Sequence, residues 1–143
     1  MIDMEIMKVK LTSEKAKMPT RAYSQDAGLD VYSIEDAYIP SGGYRVVDTG
    51  VCVEIPEGMY IRVASKSGLM TSKGIFTDGT IDEGYTGSIK VCLFNSGIRA
   101  VEIKEGDKVA QLIVMRCEKP NLVLTDVFAE SERGEDGFGS TGR

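Results

Sequence analysis

Short runs of apolar or alternating residues recur along the chain, and clusters of turn-forming residues separate them. Such runs, spaced by about 8–12 residues, are typical of the strands of an all-β sandwich or barrel. Within one run, Ile61 and Val63 alternate with Tyr60, Arg62 and Ala64, so one strand face should meet a core. We predict strands over Met7–Leu11, Tyr44–Val47, Val51–Ile55, Met59–Ala64, Ser88–Phe94, Ala100–Ile103, Val109–Met115 and Leu122–Val127.

Other local patterns predict a helix and a hairpin. A single short helix should begin near Ser67 and end near Gly74. The segment Gly79–Gly87 has the pattern of a β-hairpin, with an acidic, glycine-containing turn and Tyr85 on the surface. Ser67 has two interpretations, as the N-cap of the helix or, beside Lys66, as part of an anion site. Asp30, for its part, could simply close a turn.

Composition fits one globular domain. A chain of 143 residues, 42% hydrophobic and 27% charged, is long enough to bury a core. It contains no apolar run near the ~20 residues of a membrane span, and its N-terminus lacks the apolar stretch of a signal peptide. Three cysteines in separate apolar segments predict buried free thiols in a reducing compartment, the cytoplasm or nucleus: Cys52, Cys92 and Cys117.

Charge and the absence of histidine narrow the chemistry. A net charge of −5 without a stripe of lysine and arginine argues against a nucleic-acid polymer as partner. A polyanionic ligand would instead need backbone dipoles, a few placed cations and a divalent metal. With no histidine, histidine-based triads, most catalytic zinc sites and a histidine base are excluded. If the protein activates water, a carboxylate is the expected base.

The glycine-rich C-terminus, Arg133–Arg143, has two interpretations. It could be a disordered tail, because termini fray and glycine-rich segments stay flexible. It could also be a flap that orders over a phosphorylated ligand, since glycines bring backbone N–H groups close to phosphate oxygens. In the second case Ser140, Thr141 and Arg133 would add donors, and Phe138 could stack on a flat ring. Gln111, in an otherwise apolar strand, also has two interpretations, as a core amide or as a ligand contact.

Five segments, taken in order, resemble the motifs of the trimeric deoxyuridine triphosphatase (dUTPase) family. The final Gly137–Gly142 matches the family pattern residue for residue, and the resemblance extends from about Pro19 to the C-terminus. The motifs lie at Ala27–Asp30, Ser65–Leu69, Gly79–Gly87, Gly106–Ile113 and Arg133–Gly142.

The resemblance implies a jelly-roll-like β-sandwich over residues 1–130 with one short helix, and a flexible C-terminal arm over 131–143 that covers the active site. It implies a homotrimer whose shared sites each draw motifs from all three subunits. The implied reaction is hydrolysis of dUTP to dUMP and pyrophosphate, with Mg²⁺ chelated by the triphosphate. Such a reaction limits uracil in DNA and supplies dUMP for dTMP synthesis.

The resemblance also assigns roles to residues. Asp82 would deprotonate the water that attacks the α-phosphorus, and Tyr85 would lie against the deoxyribose and reject ribonucleotides. Main chain of Gly79–Val91 would bind the uracil edge. The remaining substrate contacts would come from Lys66, Ser67, Gly68, Gly79, Thr80, Ile81, Lys90, Gln111, Arg133, Phe138, Gly139, Ser140 and Thr141, while Asp30 would hold water in the outer shell of the metal.

Three departures from the family pattern stand out. First, Lys66 replaces the usual arginine and Ser65 the usual proline. Second, Gly84 and Thr86 occupy positions often held by acidic and arginine residues. Third, the acidic pair Glu135–Asp136 lies beside Arg133. Two alternatives to a dUTPase use the same scaffold: a dCTP deaminase or bifunctional enzyme, and a nucleotide-binding protein without catalysis.

Overall fold

The computed structural model describes residues 6–139, and the secondary structure there is almost entirely β. The one helix of these residues is α1 (Ser67–Lys73). The strands are β1 (Lys8–Leu11), β2 (Leu29–Tyr32), β3 (Ala37–Ile39), β4 (Tyr44–Asp48), β5 (Val51–Glu54), β6 (Met59–Ala64), β7 (Ile75–Phe76), β8 (Asp78–Ile81), β9 (Lys90–Asn95), β10 (Val101–Ile103) and β11 (Lys108–Arg116).

The strands pair antiparallel in four groups. A four-stranded sheet has the order β2-β11-β6-β8, a three-stranded sheet the order β4-β9-β7, and β1-β5 and β3-β10 form two-stranded pairs. Ile61 and Val63 of β6 and Leu93 of β9 are buried together with apolar residues of the other groups in one core. The predicted all-β architecture and the alternation along β6 are therefore confirmed.

Seven of the predicted strands are present to within two residues of their predicted ends. The eighth prediction, a strand over Leu122–Val127, is wrong. The described residues give this segment no strand pairing, and the side chains of Leu122 and Leu124 are 94% and 99% exposed. Apolar β-formers create only a propensity for a strand, and an isolated segment gains neither ladder hydrogen bonds nor burial.

The predicted hairpin over Gly79–Gly87 is also wrong, because the strands on either side of its turn do not pair with each other. A turn does follow β8, where the Tyr85 N–H donates to the Asp82 carbonyl at 3.1 Å. However, β8 pairs with β6, whereas β9 pairs with β4 and β7. The segment is thus a connection between two sheets, which leaves room for a pocket at the turn.

The helix lies where the sequence predicts it. It ends at Gly74, a left-handed cap with φ 71° whose N–H donates to the Met70 carbonyl at 3.1 Å. Its N-cap is Lys66, in extended conformation and without a side-chain capping bond, so the interpretation of Ser67 as the N-cap is wrong. Within the described residues, no helix is long and apolar enough to cross a membrane.

The three cysteines are free, as predicted. Only Cys52 is buried, however, whereas Cys92 and Cys117 are half-buried. Partial burial raises the pKa of the Cys92 thiol, so less of it is thiolate at neutral pH than of an exposed cysteine.

Candidate active site

A pocket of about 270 Å³ opens at the turn after β8. Asp82 and Tyr85 line it together, so the predicted base and the predicted sugar-contacting ring share one cavity. The rest of the lining comes from Thr80, Ile81, Ile89 and Lys90. The pocket therefore brings together most of the residues that were predicted for the nucleoside end of a substrate.

Tyr85 is held in place by its neighbours along the chain. Its Oη donates to the Ser88 carbonyl at 2.9 Å, and the Ser88 hydroxyl donates to the Asp48 carboxylate at the end of β4. A Cβ added to Gly87 would lie 2.6 Å from the Tyr85 Oη, which is too close for any real contact. Gly87 thus makes the space for the tyrosine ring, and Ser88 with Asp48 fixes its position.

The main chain beside this pocket is open on one side. In the sheets formed by residues 6–139, strand β8 is an edge strand and pairs with β6 alone. The N–H and C=O groups on its other side are free to pair with an incoming planar edge, as edge strands commonly do. This arrangement fits the predicted use of Gly79, Thr80 and Ile81 to bind a base through main-chain hydrogen bonds.

A second cluster surrounds the buried carboxylate of Asp30, which is only 3% exposed. Asp30 lies in β2 and does not close a turn, so that interpretation is wrong. Its Oδ1 accepts from Lys66 Nζ at 2.5 Å, and its Oδ2 lies 3.3 Å from Lys108 Nζ. Two ammonium groups around one carboxylate leave a net positive charge, which favours a polyanion.

Gln111 joins this cluster from β11, where it lies opposite Asp30 and Ala64. Its Nε2 donates to the Ser65 carbonyl at 2.9 Å, which leaves its Oε1 facing Gly28. A Cβ on Gly28 would lie 2.0 Å from that oxygen. The glycine of the Ala27–Asp30 motif is therefore required by close packing against Gln111.

We expect Gly28→Ala to destabilise the fold by about 1–3 kcal/mol, because the new methyl group overlaps the Gln111 carboxamide. Thermal denaturation of the purified variant measures this loss. The control is the double variant Gly28→Ala/Gln111→Ala, compared with Gln111→Ala alone. The shorter side chain removes the contacts at 2.0 and 2.8 Å but keeps the Gln111 Cβ 2.9 Å from the new methyl group, so it should recover part of the stability. Equal loss in both variants would contradict the proposed packing.

Ser65 has a structural reason to stand where the family usually has proline. Its hydroxyl accepts from the Thr77 N–H at 2.9 Å and donates to the Thr77 carbonyl at 2.8 Å. The side chain thus ties the end of β6 to the start of β8, a link that proline has no polar group to make.

The first turn of α1 presents open backbone donors. Because no side chain caps the helix, the N–H groups of its first turn have no intrahelical or capping partner. Ser67 and Gly68 are both exposed there. This geometry agrees with their predicted role as phosphate contacts.

The pocket and the Asp30 cluster lie far apart within one chain. Ile81 is opposite Ile61, whereas Asp30 and Gln111 lie at the level of Ala64. Asp82 follows Ile81, so four strand residues at about 3.3 Å each separate the two levels, about 13 Å in total. A single phosphorus atom therefore cannot lie beside Asp82 and also beside Lys66 and Lys108 of the same chain.

The start of the C-terminal arm forms a tight turn of its own. Arg133 Nε donates to the Asp136 carbonyl at 2.6 Å, and the Asp136 N–H donates to the Arg133 carbonyl at 3.1 Å. The guanidinium is therefore bonded to main chain, and no bond between it and the Glu135 or Asp136 carboxylates is found in residues 6–139. Phe138 and Gly139 are exposed, while Ser140 and Thr141 lie outside the described residues.

The side chains do not offer a metal-binding set of their own. Within residues 6–139 no group of three or more acidic or thiol side chains could hold an ion. Both oxygens of Asp30 already contact ammonium groups. The residues fit a magnesium ion only if a phosphate-bearing ligand supplies most of its ligands and Asp30 acts through water.

Four residues in or beside the pocket and the Asp30 cluster were not predicted as site residues from the sequence. Lys108 lies in one of the recognised motifs, but only the sheet register shows that it reaches Asp30. The Ser88 carbonyl, three residues after Tyr85, accepts from the tyrosine hydroxyl, and Asp48 at the end of β4 accepts from the Ser88 hydroxyl. Glu83 accepts from the Gly58 N–H at 2.8 Å, beside the turn of Asp82.

Comparison with known proteins gives one consistent result. The family model described as dUTPase matches residues 14–142. The deoxyuridine 5'-triphosphate nucleotidohydrolase of Saccharomyces cerevisiae is 42% identical over 96% of this chain and 95% of the yeast protein.

Two solved structures show the same similarity. The dUTPase of Staphylococcus bacteriophage 80alpha with dUPNHPP has a TM-score of 0.93 at 30% identity, covering 98% of this chain and 100% of the phage chain. A mutant dUTPase from phage phi11 of S. aureus, solved to show how a structural Mg(II) ion is coordinated, has a TM-score of 0.83 at 29% identity. That match covers 88% of this chain and 100% of the other.

Proposed function

The chain belongs to the dUTPase family and hydrolyses dUTP, and we propose that it does so with Asp82 as the general base, at sites shared between the subunits of a homotrimer. The observation that carries the assignment of the base is the pocket in which Asp82 and Tyr85 meet beside the open edge of β8. In a chain without histidine, Asp82 is the carboxylate in that pocket, and therefore the group there with the chemistry of a general base.

The pocket supports binding of the nucleoside. Uracil would pair with the free main chain of β8 and the deoxyribose would lie against Tyr85, where a 2′-hydroxyl would collide with the ring. The support for this placement is the fixed position of Tyr85, held through Ser88 and Asp48. Asp82 would then lie beside the α-phosphorus, orient a water for in-line attack and accept its proton as pyrophosphate leaves.

The phosphates would be bound by a neighbouring subunit. The Asp30 cluster is about 13 Å along the strands from the level of Asp82 in the same chain, so one chain does not complete a site. In the proposed homotrimer, Lys66, Ser67, Gly68 and Gln111 of one subunit approach Asp82 of another. The exposed apolar segment Leu122–Val127 also supports association, because only another chain can bury it.

Magnesium is proposed as the cofactor, carried by the triphosphate. When bound, the ion would offset the negative charge of the phosphate oxygens. Asp30 would contribute through a water molecule, and Lys66 and Lys108 would keep its carboxylate in position. The three free cysteines support action in a reducing compartment, the cytoplasm or nucleus.

Pyrophosphate release from dUTP, dCTP, dTTP and UTP tests the function. We expect release from dUTP alone, because the pocket as proposed excludes a 2′-hydroxyl, a 5-methyl group and the amino group of cytosine. Production of ammonia from dCTP would show a deaminase instead. Tight binding of dUTP without release of pyrophosphate would show a binding protein.

A further inference from the structure

The turn that carries Asp82 is tied to two other parts of the chain by the neighbouring residue, Glu83. Its Oε1 accepts from the Gly58 N–H at 2.8 Å and from Lys119 Nζ at 3.2 Å. Gly58 lies in the turn between β5 and β6, and Lys119 follows the end of β11 at Arg116. One carboxylate oxygen therefore joins three segments that are distant in sequence.

The backbone completes this junction. The Gly58 carbonyl accepts from the Cys117 N–H at 2.9 Å, so Gly58 bonds to the root of the arm through its C=O and to Glu83 through its N–H. Gly58 has φ 78°, a left-handed conformation that aligns the two groups at little cost only for glycine. We call Gly58, Glu83, Cys117 and Lys119 the arm junction.

Lys119 lies before the arm, which begins at residue 131. Among residues 120–139, every hydrogen bond found is local, such as Thr125 with Val127 and Arg133 with Asp136. Within residues 6–139, Lys119 is therefore the last residue before the arm for which a hydrogen bond with the body of the protein is found. The same contact sets the position of the turn that begins at Asp82.

We propose that Glu83 is a positioning residue that holds the Asp82 turn and the departure of the C-terminal arm in one fixed geometry. This inference rests on the proposed function, in which Asp82 is the base and the arm covers a site. The two contacts are unequal. A backbone N–H donating to a carboxylate is a strong, directed bond, whereas a Glu83–Lys119 pair with side chains 32% and 63% exposed is weak by itself.

The protonation of Glu83 agrees with the geometry. The bond from the Gly58 N–H, followed by the contact with Lys119, lowers the pKa of the Glu83 carboxyl. Glu83 is therefore ionised at neutral pH, as its contact with the Lys119 ammonium requires.

Three variants separate the two contacts. Glu83→Ala removes both, Glu83→Gln keeps an oxygen for the Gly58 N–H but loses the charge, and Lys119→Met removes the ammonium alone. Glu118→Gln is the matched control, because it changes an exposed carboxylate at the arm root for which the described residues show no side-chain contact. Each variant is tested as the full chain.

We expect Glu83→Ala to lower kcat for dUTP about 10-fold with little change in KM, because the base moves while the nucleoside pocket remains. Glu83→Gln should recover most of that loss, and the melting temperature and oligomeric state of all variants should match the Glu118→Gln control. If Glu83→Ala keeps the control's kcat, or loses activity only in step with its melting temperature, the positioning role is wrong.

Protection of the arm from proteolysis gives a measurement that does not depend on catalysis. The dUTP analogue dUPNHPP should slow tryptic cleavage after Arg133 in the wild type and in Glu118→Gln. The protection should be weaker in Glu83→Gln, in Lys119→Met and in the double variant. The loss should be equal in the three, because each loses the same Glu83–Lys119 contact. Wild-type protection in Lys119→Met, or additive losses in the double variant, would overturn the link to the arm.

The two readouts distinguish the possible failures. If the wild type releases no pyrophosphate from dUTP, the proposed function fails, and protection by dUPNHPP still tests the arm junction. If the wild type is active and every Glu83 variant behaves as the control, the proposed function stands and the arm junction fails.

Discussion

Asp82→Asn should reduce kcat for dUTP hydrolysis by about 10²- to 10⁴-fold, because an amide cannot accept the proton of the attacking water. Asp82 is exposed at a turn, so the substitution should leave the fold intact, and the isosteric amide should leave binding of the nucleoside nearly unchanged. Pyrophosphate release gives kcat, and titration with dUPNHPP gives the affinity.

Asp78→Asn is the matched control for this prediction. It makes the same chemical change on an exposed residue of β8, the strand that precedes Asp82. Asp78 lies at the end of β8 away from the pocket, where its carboxylate is 4.0 Å from Arg62 Nε. We expect its kcat to remain close to that of the wild type. Turnover by Asp82→Asn at more than a tenth of the control's rate would show that another group is the base.

Removal of residues 132–143 should lower kcat by about 10²-fold and leave a folded protein of unchanged oligomeric state. The described part of this segment, Glu132–Gly139, contributes nothing to the core, and its hydrogen bonds are local. Its proposed contribution is to close over the phosphates and the uracil, so its loss should affect the reaction and spare stability. Sizing by light scattering and thermal denaturation provide the structural controls.

A truncated protein that runs as a monomer or unfolds would show that the segment is structural. Unchanged kcat would show that the arm does not cover the site. Leu122–Val127 remains in the truncated chain, so any contribution of that apolar segment to association is preserved in this experiment.

The two inactive variants can also be combined in one assembly to test whether sites are shared. If Asp82 and the covering arm come from different subunits, co-refolding equal amounts of Asp82→Asn and the truncated chain pairs an intact Asp82 with an intact arm in about one site in four. We therefore expect about a quarter of the wild-type activity. No recovery would indicate that both elements come from the same chain.

The sequence predicted the long, regular strands well, because their alternation reports directly on a buried face. It missed β2, β3 and β7, and it predicted β8 only as the first arm of a hairpin. Strand β2 carries Asp30 at a buried position, and β8 is a polar edge strand of the sequence Asp-Gly-Thr-Ile. In both strands the alternation of apolar and polar residues is broken by residues that belong to the predicted site.

Prediction of the site shows the same division. Five residues of the pocket were predicted together from one segment, and they share the pocket because they are close in sequence. They are Thr80, Ile81, Asp82, Tyr85 and Lys90. The supports of that pocket were not predicted. Asp48, Gly58 and Lys119 carry no motif, and their contacts depend on how β4, the β5–β6 turn and the end of β11 pack around residues 82–88.

The sequence by itself determined the β-rich core, the exclusion of a histidine base, and the glycine-rich arm with its aromatic and cationic residues. Each of these is a property of local composition and order. The tertiary structure alone decided that Lys66 and Lys108 meet on Asp30, that Glu83 contacts Gly58 and Lys119, and that Asp82 and the Asp30 cluster lie at different levels of the sheet. Such contacts join residues tens of positions apart, and strand register fixes them, which no local pattern encodes.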